Sequence, residues 1–109
     1  MTDLSEIQEL ISTIRARRGF TTEPAQLVCL LAEEVCEVAA EVKKTWSPNY
    51  PDLVPSELGD ELADAFVLIS ALASAFRIDL ETAVRAKFLE ADGTRRWATA
   101  GEQTPDDES

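Results

Sequence analysis

The chain has 109 residues, 45% of them hydrophobic, with 10 Lys and Arg against 21 Asp and Glu and a net charge of −11. This length predicts one domain with a single modest core, and the acidic balance disfavours DNA, RNA and anionic membranes as partners. The apolar stretches are well short of the roughly 20 residues that span a bilayer, and the acidic N-terminus does not resemble a signal peptide. We therefore expect a soluble, cytoplasmic protein.

The first half of the chain contains two predicted helices. Asp3 is a helix-capping residue, and apolar residues then recur at helical spacing until Gly19 interrupts the pattern. A second start signal, Thr22-Glu23-Pro24, combines the capping hydroxyl of Thr22 with an early proline. Because residues 25–45 contain no Gly or Pro, we predict a long second helix over about this range.

The second half begins with a loop. Residues 46–55 are rich in helix breakers, and the third helix is predicted to follow over about 56–76. A fourth helix is predicted from near Leu80 to about Ala91, with Asp79 as its cap. The chain is therefore predicted to be an all-α bundle of about four helices over residues 1–97, followed by a disordered acidic tail over 98–109.

Two acidic pairs of the form acid-x-x-acid lie within the predicted second and third helices, at Glu34-Val35-Cys36-Glu37 and Glu61-Leu62-Ala63-Asp64. Residues three apart lie on one side of a helix, so each pair points two carboxylates in one direction. Glu34 and Glu61 interrupt apolar stripes, although Lys43-Lys44 offers solvent-facing positions nearby. A solvated acidic face explains one such pair more readily than two. Four facing carboxylates need a cation to neutralise them.

The residue types present favour a hard cation. The chain has no His and no CxxC spacing, which weakens zinc, di-iron and Ser-His-Asp chemistry. Cys29 and Cys36 are seven residues apart on one predicted helix, too far to pair with each other, and are expected to be reduced core residues. Ligands that are all carboxylates favour Mg²⁺, with Mn²⁺ as a substitute. Such a cation most often serves phosphate chemistry.

The acidic motifs also carry a family resemblance. Glu33-Glu34-Val35-Cys36-Glu37 followed by Glu61-Leu62-Ala63-Asp64 resembles the EExxE and ExxD signature of the MazG-like, all-α nucleoside triphosphate pyrophosphohydrolases. Arg18-Gly19-Phe20-Thr21 and Asp79-Leu80-Glu81 are similar to the corresponding segments of the short single-domain members. The resemblance extends over most of the chain and indicates the superfamily more strongly than the substrate.

The resemblance implies a Mg²⁺-dependent enzyme that cleaves (deoxy)nucleoside triphosphates between the α and β phosphates, giving the monophosphate and pyrophosphate in nucleotide-pool house-cleaning. Glu33 and Glu34 are the implied catalytic acids, with Glu33 as a further metal ligand or a water-orienting base. Such members form a four-helix bundle that oligomerisation completes, as a homodimer or homotetramer with the site near a subunit interface. The implied metal ligands are Glu34, Glu37, Glu61 and Asp64.

The family pattern also places basic residues downstream, where they grip phosphate oxygens. Lys87 fits the first of these places, and Arg95 and Arg96 fit the later ones. Four residues after the lysine the family has an Asn, where this chain has Ala91, and Asp92 follows one position later. The alternative interpretation of all three cations is surface charge near a helix end.

Aromatic residues are few, so each one is a candidate for stacking on a nucleobase. Trp46 and Trp97 are the two candidates for that role, with packing at a helix end as the alternative. Phe66 and Phe76 are predicted to belong to the core. The sequence leaves the base and the sugar undetermined.

Two other functions remain compatible with the sequence. One is phosphoribosyl-ATP pyrophosphohydrolase, a member of the same superfamily that cuts the same kind of bond in histidine synthesis. The other is a non-catalytic acidic helical protein, in which the carboxylates bind basic residues of a partner.

Overall fold

A computed structural model describes residues 2–94, and these form an all-helical chain. Its helices are α1 (Leu4–Arg17), α2 (Pro24–Val42), α3 (Pro55–Ala75) and α4 (Leu80–Val84). A 3₁₀ turn at Lys43–Thr45 follows α2, and a π-helical segment at Arg85–Leu89 follows α4. The absence of strands from residues 2–94 confirms the predicted all-α fold. The predicted tail lies outside the described residues.

Side-chain caps define where the helices begin. Asp3 and Asp79 accept hydrogen bonds from backbone N–H groups in the first turns of α1 and α4, as predicted. The prediction for α2 was wrong, because its cap is Glu23, whose carboxylate accepts from the Ala25 N–H at 3.3 Å, and not the hydroxyl of Thr22. The proline at the first position of α2 leaves the residue immediately before it as the cap.

The fourth helix changes its winding half-way along. The N–H of Glu90 donates to the carbonyl oxygen of Arg85 at 2.7 Å, a bond that spans five residues instead of four. Regular helical structure therefore ends at Leu89, two residues before the predicted end at about Ala91.

The core lies where α2 and α3 pack against each other. Among the described residues, the buried apolar side chains are Leu27 of α2 and Ala65, Leu68 and Ala73 of α3. This set is small for a chain of this length, and it places the best-packed part of the molecule directly beside the acidic motifs.

Gln8 ties α1 to the turn between α3 and α4. Its side chain is buried, and its Nε2 donates to the Ile78 carbonyl at 2.7 Å and to the Ser74 hydroxyl at 3.1 Å. Its Oε1 accepts from the Leu80 N–H at 2.9 Å. Both ends of the amide are thus satisfied, which fixes the rotation of α1 about its own axis.

Several residues predicted as core are exposed in the single chain. Phe76 is 59% exposed, whereas Phe66 is half-buried. Cys29 and Cys36 are reduced, as expected, but both lie on the outer face of α2. Within residues 2–94, we find no helix with the length and apolar character needed to cross a bilayer.

Candidate active site

The two acidic motifs meet in the groove between α2 and α3. Glu34, Glu61 and Asp64 each place one carboxylate oxygen within 4.8 Å of the others. Glu34 and Glu61 are partly buried, and Asp64 is exposed. Three oxygens at this separation can coordinate one divalent cation while leaving positions open for water or a substrate oxygen.

The close carboxylates belong to a longer row that we call the acidic ladder. The ladder comprises Glu34, Glu37 and Glu41 on α2, and Asp64, Glu61 and Glu57 on α3. Spacings of three and four residues keep each set on one helix face. Glu34 lies beside Asp64. At the other end, Glu41 and Glu57 share a contact with Lys44, so the two helices run antiparallel.

The two ends of the ladder differ in charge. At the closed end, defined by Glu41, Glu57 and Lys44, the Lys44 ammonium lies 2.9 Å from one carboxylate and 3.6 Å from the other. At the open end, defined by Glu34, Glu61 and Asp64, the described part of the chain provides no ion pair. The carboxylates of the open end therefore have no paired cation in the described chain, whereas Lys44 offsets one of the two charges at the closed end.

The surroundings of Glu61 at the open end disfavour the charged form of its carboxyl. Partial burial is the first cause that raises the pKa of its carboxyl, followed by the charges of Glu37, Asp64 and Glu34. A raised carboxyl pKa means that the ionised form of Glu61 is less stable than it would be in water. Binding of a cation at the site stabilises that form and is therefore favourable.

The sequence-predicted acids do not all join the close group. Glu37 is exposed and lies outside the group of three, although its charge acts on Glu61. Glu33 is also exposed and lies outside the group. Since neighbouring residues on a helix point about 100° apart, Glu33 and Glu34 face different directions. Ligation by Glu37 and the catalytic role of Glu33 stay predictions.

A pocket of about 540 Å³ adjoins the open end. Glu34 and Asp64 form part of its wall, and Arg15, Phe20 and Leu30 form another part. The pocket therefore joins a polar acidic edge to an apolar surface, a combination typical of small-molecule sites.

Arg15 and Phe20 contact each other on the wall of this pocket. The Arg15 guanidinium carbon lies 5.3 Å from the centre of the Phe20 ring, a cation–π contact. Arg15 Nη2 also donates to the Thr21 carbonyl at 3.0 Å. A positive group is thereby fixed on the wall of the pocket that Glu34 and Asp64 also line, with further N–H donors on the same guanidinium.

Arg15 is not among the residues predicted for the site, although the sequence contains a signal for it. The inner stripe of α1 runs through Leu4, Gln8, Ile11 and Arg15, which are all at least half-buried and spaced four, three and four residues apart. The apolar residues that recur at helical spacing before Gly19 include Leu10, which is 57% exposed and so does not belong to the inner stripe. A polar residue that continues a buried stripe is the sign that would have identified Arg15.

A family model for the MazG nucleotide pyrophosphohydrolase domain matches residues 22–90 of the 109. The matched range includes both acidic motifs and every residue of the acidic ladder. The chain belongs to the MazG nucleotide pyrophosphohydrolase family. No curated protein and no solved structure shows significant similarity to it.

Other predicted residues of the MazG domain lie away from the pocket. Lys87 is exposed on the π-helical segment, and Trp46 is 71% exposed at the end of the 3₁₀ turn. Neither lines the pocket beside the open end. Arg95, Arg96 and Trp97, the remaining candidates for binding phosphate and base, lie outside the described residues.

Proposed function

We propose that this protein is a Mg²⁺-dependent nucleoside triphosphate pyrophosphohydrolase. It cleaves (deoxy)nucleoside triphosphates between the α and β phosphates, releases the monophosphate and pyrophosphate, and serves nucleotide-pool house-cleaning. The observation that carries the proposal is a group of three carboxylates within 4.8 Å, without an ion pair in the described chain, beside a pocket of about 540 Å³. The family assignment supports this chemistry.

In this proposal Glu34, Glu61 and Asp64 hold the cation, with Glu37 as the fourth ligand. Mg²⁺ supplies charge neutralisation for the phosphates and lowers the pKa of water. The rigid groove between α2 and α3 fixes the carboxylates before substrate arrives, so little reorganisation is needed. Carboxylate oxygens that do not face the cation, including that of Glu33, are available to orient the attacking water and accept its proton.

The nucleoside part of the substrate occupies the pocket. Its acidic edge is shared with the cation site, so a nucleotide whose phosphates meet the cation places its base or sugar toward Arg15 and Phe20. The half-exposed ring offers a stacking surface, and the guanidinium offers donors for a carbonyl of the base. Lys87 and the arginines at 95 and 96 remain the proposed phosphate contacts.

The assembly proposed with this function is a homo-oligomer built on the outer face of α2. Exposed apolar residues recur there every three or four positions, at Val28, Ala32, Val35, Ala39 and Val42. This period is the one by which two helices pack side by side. A second copy is the occupant because the single chain buries so few of its own apolar side chains. We expect Val35→Glu to lower the molar mass found by light scattering, while Val84→Glu on α4 leaves it unchanged.

The proposed function is tested by incubating the purified protein with a panel of canonical, deoxy and damaged nucleoside triphosphates and detecting pyrophosphate. We expect release that requires Mg²⁺ and yields the monophosphate in equal amount. Phosphoribosyl-ATP belongs in the panel, since hydrolysis of that compound alone would assign the chain to histidine synthesis. No pyrophosphate from any compound would overturn the proposal.

A further inference from the structure

Lys44 occupies a position that side-chain patterns did not indicate. Its ammonium donates to Glu41 Oε1 at 3.2 Å and lies 2.9 Å from Glu41 Oε2. The same ammonium lies 3.6 Å from Glu57 Oε2 on the facing helix. The side chains of Lys44 and Glu41 are only 18% and 16% exposed, so this local pair is sheltered, whereas the Glu57 side chain on the facing helix is 57% exposed.

The 3₁₀ turn after α2 explains why this lysine points into the groove. In a turn of three residues, Lys44 comes to lie over Glu41, three positions earlier. The adjacent Lys43 points elsewhere, with its ammonium 3.0 Å from the Tyr50 hydroxyl and 4.6 Å from the centre of its ring. Two neighbouring lysines therefore have different partners, and only Lys44 bridges the acidic ladder.

We propose that Lys44 is a positioning residue that confines divalent cations to the open end of the acidic ladder. It acts as a built-in counter-ion, and its ammonium takes the place that a second cation would occupy between Glu41 and Glu57. The inference rests on the proposed metal site at Glu34, Glu61 and Asp64. It adds a reason why only that part of a continuous row of carboxylates binds metal.

Charge and distance explain why the closed end disfavours a divalent cation. Glu41 and Glu57 carry two negative charges, and the bridging ammonium offsets one of them and repels any further cation. The Glu41 hydrogen bond is the main cause that raises the pKa of Lys44, so the ammonium remains charged at neutral pH. Within the described chain no cationic side chain lies within ion-pair distance of the open end, so a divalent ion meets no adjacent ammonium there.

The test compares Lys44→Met with Lys43→Met, because each removes one ammonium from neighbouring positions and keeps an unbranched apolar stem. Bound Mn²⁺ is counted per chain by electron paramagnetic resonance during a titration without nucleotide, and helical content is checked by circular dichroism. We expect Lys44→Met to bind one more Mn²⁺ per chain than Lys43→Met. Lys44→Arg, which keeps the charge, should bind the same number as the wild type.

The double variant Lys44→Met/Glu57→Gln locates the additional ion. Loss of one carboxylate of the closed end should return the count to that of Lys43→Met. Equal Mn²⁺ counts for Lys44→Met and Lys43→Met would overturn the inference, whatever the wild type binds. Failure of the proposed metal site has a different result, namely a wild type that binds no Mn²⁺ at all.

Discussion

The two ends of the acidic ladder contain the same type of side chain but differ in what surrounds the carboxylates. At the closed end, Lys44 joins Glu41 to Glu57 across the groove. At the open end, Glu34 faces Asp64 with no ion pair in the described chain, and a pocket adjoins them. The two ends therefore do not differ in the kind of carboxylate they contain. They differ in the cations around those carboxylates, and this difference is the basis for proposing the active site at the open end.

The two ends are also expected to contribute differently. The ion pair between Lys44 and Glu57 connects the end of α2 to α3 at 3.6 Å, but the Glu57 side chain is 57% exposed, so this pair adds little to the packing that brings the other carboxylates together. Unneutralised carboxylates repel one another and are stabilised when a cation binds. The proposed catalytic role therefore falls to the open end, and the closed end is expected to be dispensable for it.

The largest expected effect is on the rate of pyrophosphate release, compared between two variants that each lack one carboxylate charge, one at the open end and one at the closed end. Glu61→Gln at the open end should lower pyrophosphate release by about 100-fold or more, because a fixed electrostatic contact with the reacting groups is lost. Glu57→Gln makes the same chemical change one helical turn away on α3 and should keep the rate within a few-fold of wild type. Initial rates at saturating Mg²⁺ measure both. Equal losses would show that the ends do not differ in function.

The second-largest expected effect is on KM and comes from a substitution in the pocket beside the open end. Arg15→Met should raise the KM for the best nucleotide by about 10-fold or more, the size expected for a lost charge-assisted hydrogen bond, with kcat little changed. The matched control is Arg17→Met, because that arginine is exposed on the same helix. Steady-state kinetics separates KM from kcat. An unchanged KM would contradict the proposal that the nucleoside binds in this pocket.

A cation that binds only the folded protein must also stabilise it. At a Mn²⁺ concentration 100 times Kd the gain is about 2.7 kcal/mol, which corresponds to a rise of about 10 °C in Tm for a domain of this size. Glu61→Gln should lose most of this rise, and Glu57→Gln should keep it. Since salt alone screens an acidic chain, NaCl at matched ionic strength is the control. A rise of the same size in NaCl would argue against a cation site.

The smallest effect concerns pH in the absence of metal. The pKa of Glu61 is raised above its ordinary value of 4.5, so the folded chain binds that proton more tightly than the unfolded chain. The resulting stabilisation is complete below the ordinary value and is lost as pH rises through the raised pKa. Glu61→Gln should therefore exceed wild type in Tm by more at pH 7 than near pH 4.5.

Measuring these Tm values in EDTA isolates the carboxyl from the cation. The pKa of Asp79 is lowered, chiefly by its hydrogen bond from Thr82, so its contribution is lost only at more acidic pH. Carboxylates far from Glu61 are common to both proteins and cancel in the difference, whereas the neighbours Glu34, Glu37 and Asp64 are relieved of repulsion in Glu61→Gln, which enlarges the difference at pH 7. A Tm difference that is constant over this pH range would mean that neither burial nor the neighbouring charges raise the pKa of Glu61.

Much of the site was predictable because helical spacing is regular. The spacing within Glu34-Val35-Cys36-Glu37 and within Glu61-Leu62-Ala63-Asp64 put each pair on one helix face. One acid of the first pair and both of the second form the close group, whereas Glu37 lies outside it. Family and fold followed from the same motifs, and the matched range confirms the family.

The remaining features depend on departures from regular spacing and on long-range contacts. Lys44 was predicted to face solvent, since rotation by about 100° per residue assumes that the α-helix continues through it. The helix instead tightens into a 3₁₀ turn there, which directs the ammonium into the groove. Gln8 and Arg15 interrupt an apolar stripe, and only their partners in other segments show why they are buried there.

Exposed apolar residues were the other source of error. Phe76 and the two cysteines were assigned to the core because apolar residues in helices usually pack inside their own chain. A sequence pattern does not distinguish a surface that packs within one chain from a surface that packs against a second copy. The outer face of α2, with Val35 at its centre, has the composition of such a surface.

The central claim is that one end of the acidic ladder binds metal and the other does not. Crystals of the protein soaked in MnCl₂ and measured at the manganese absorption edge test it most directly. The account predicts an anomalous peak among Glu34, Glu61 and Asp64 and none between Glu41 and Glu57. A peak at the closed end, or no peak at the open end, would contradict it.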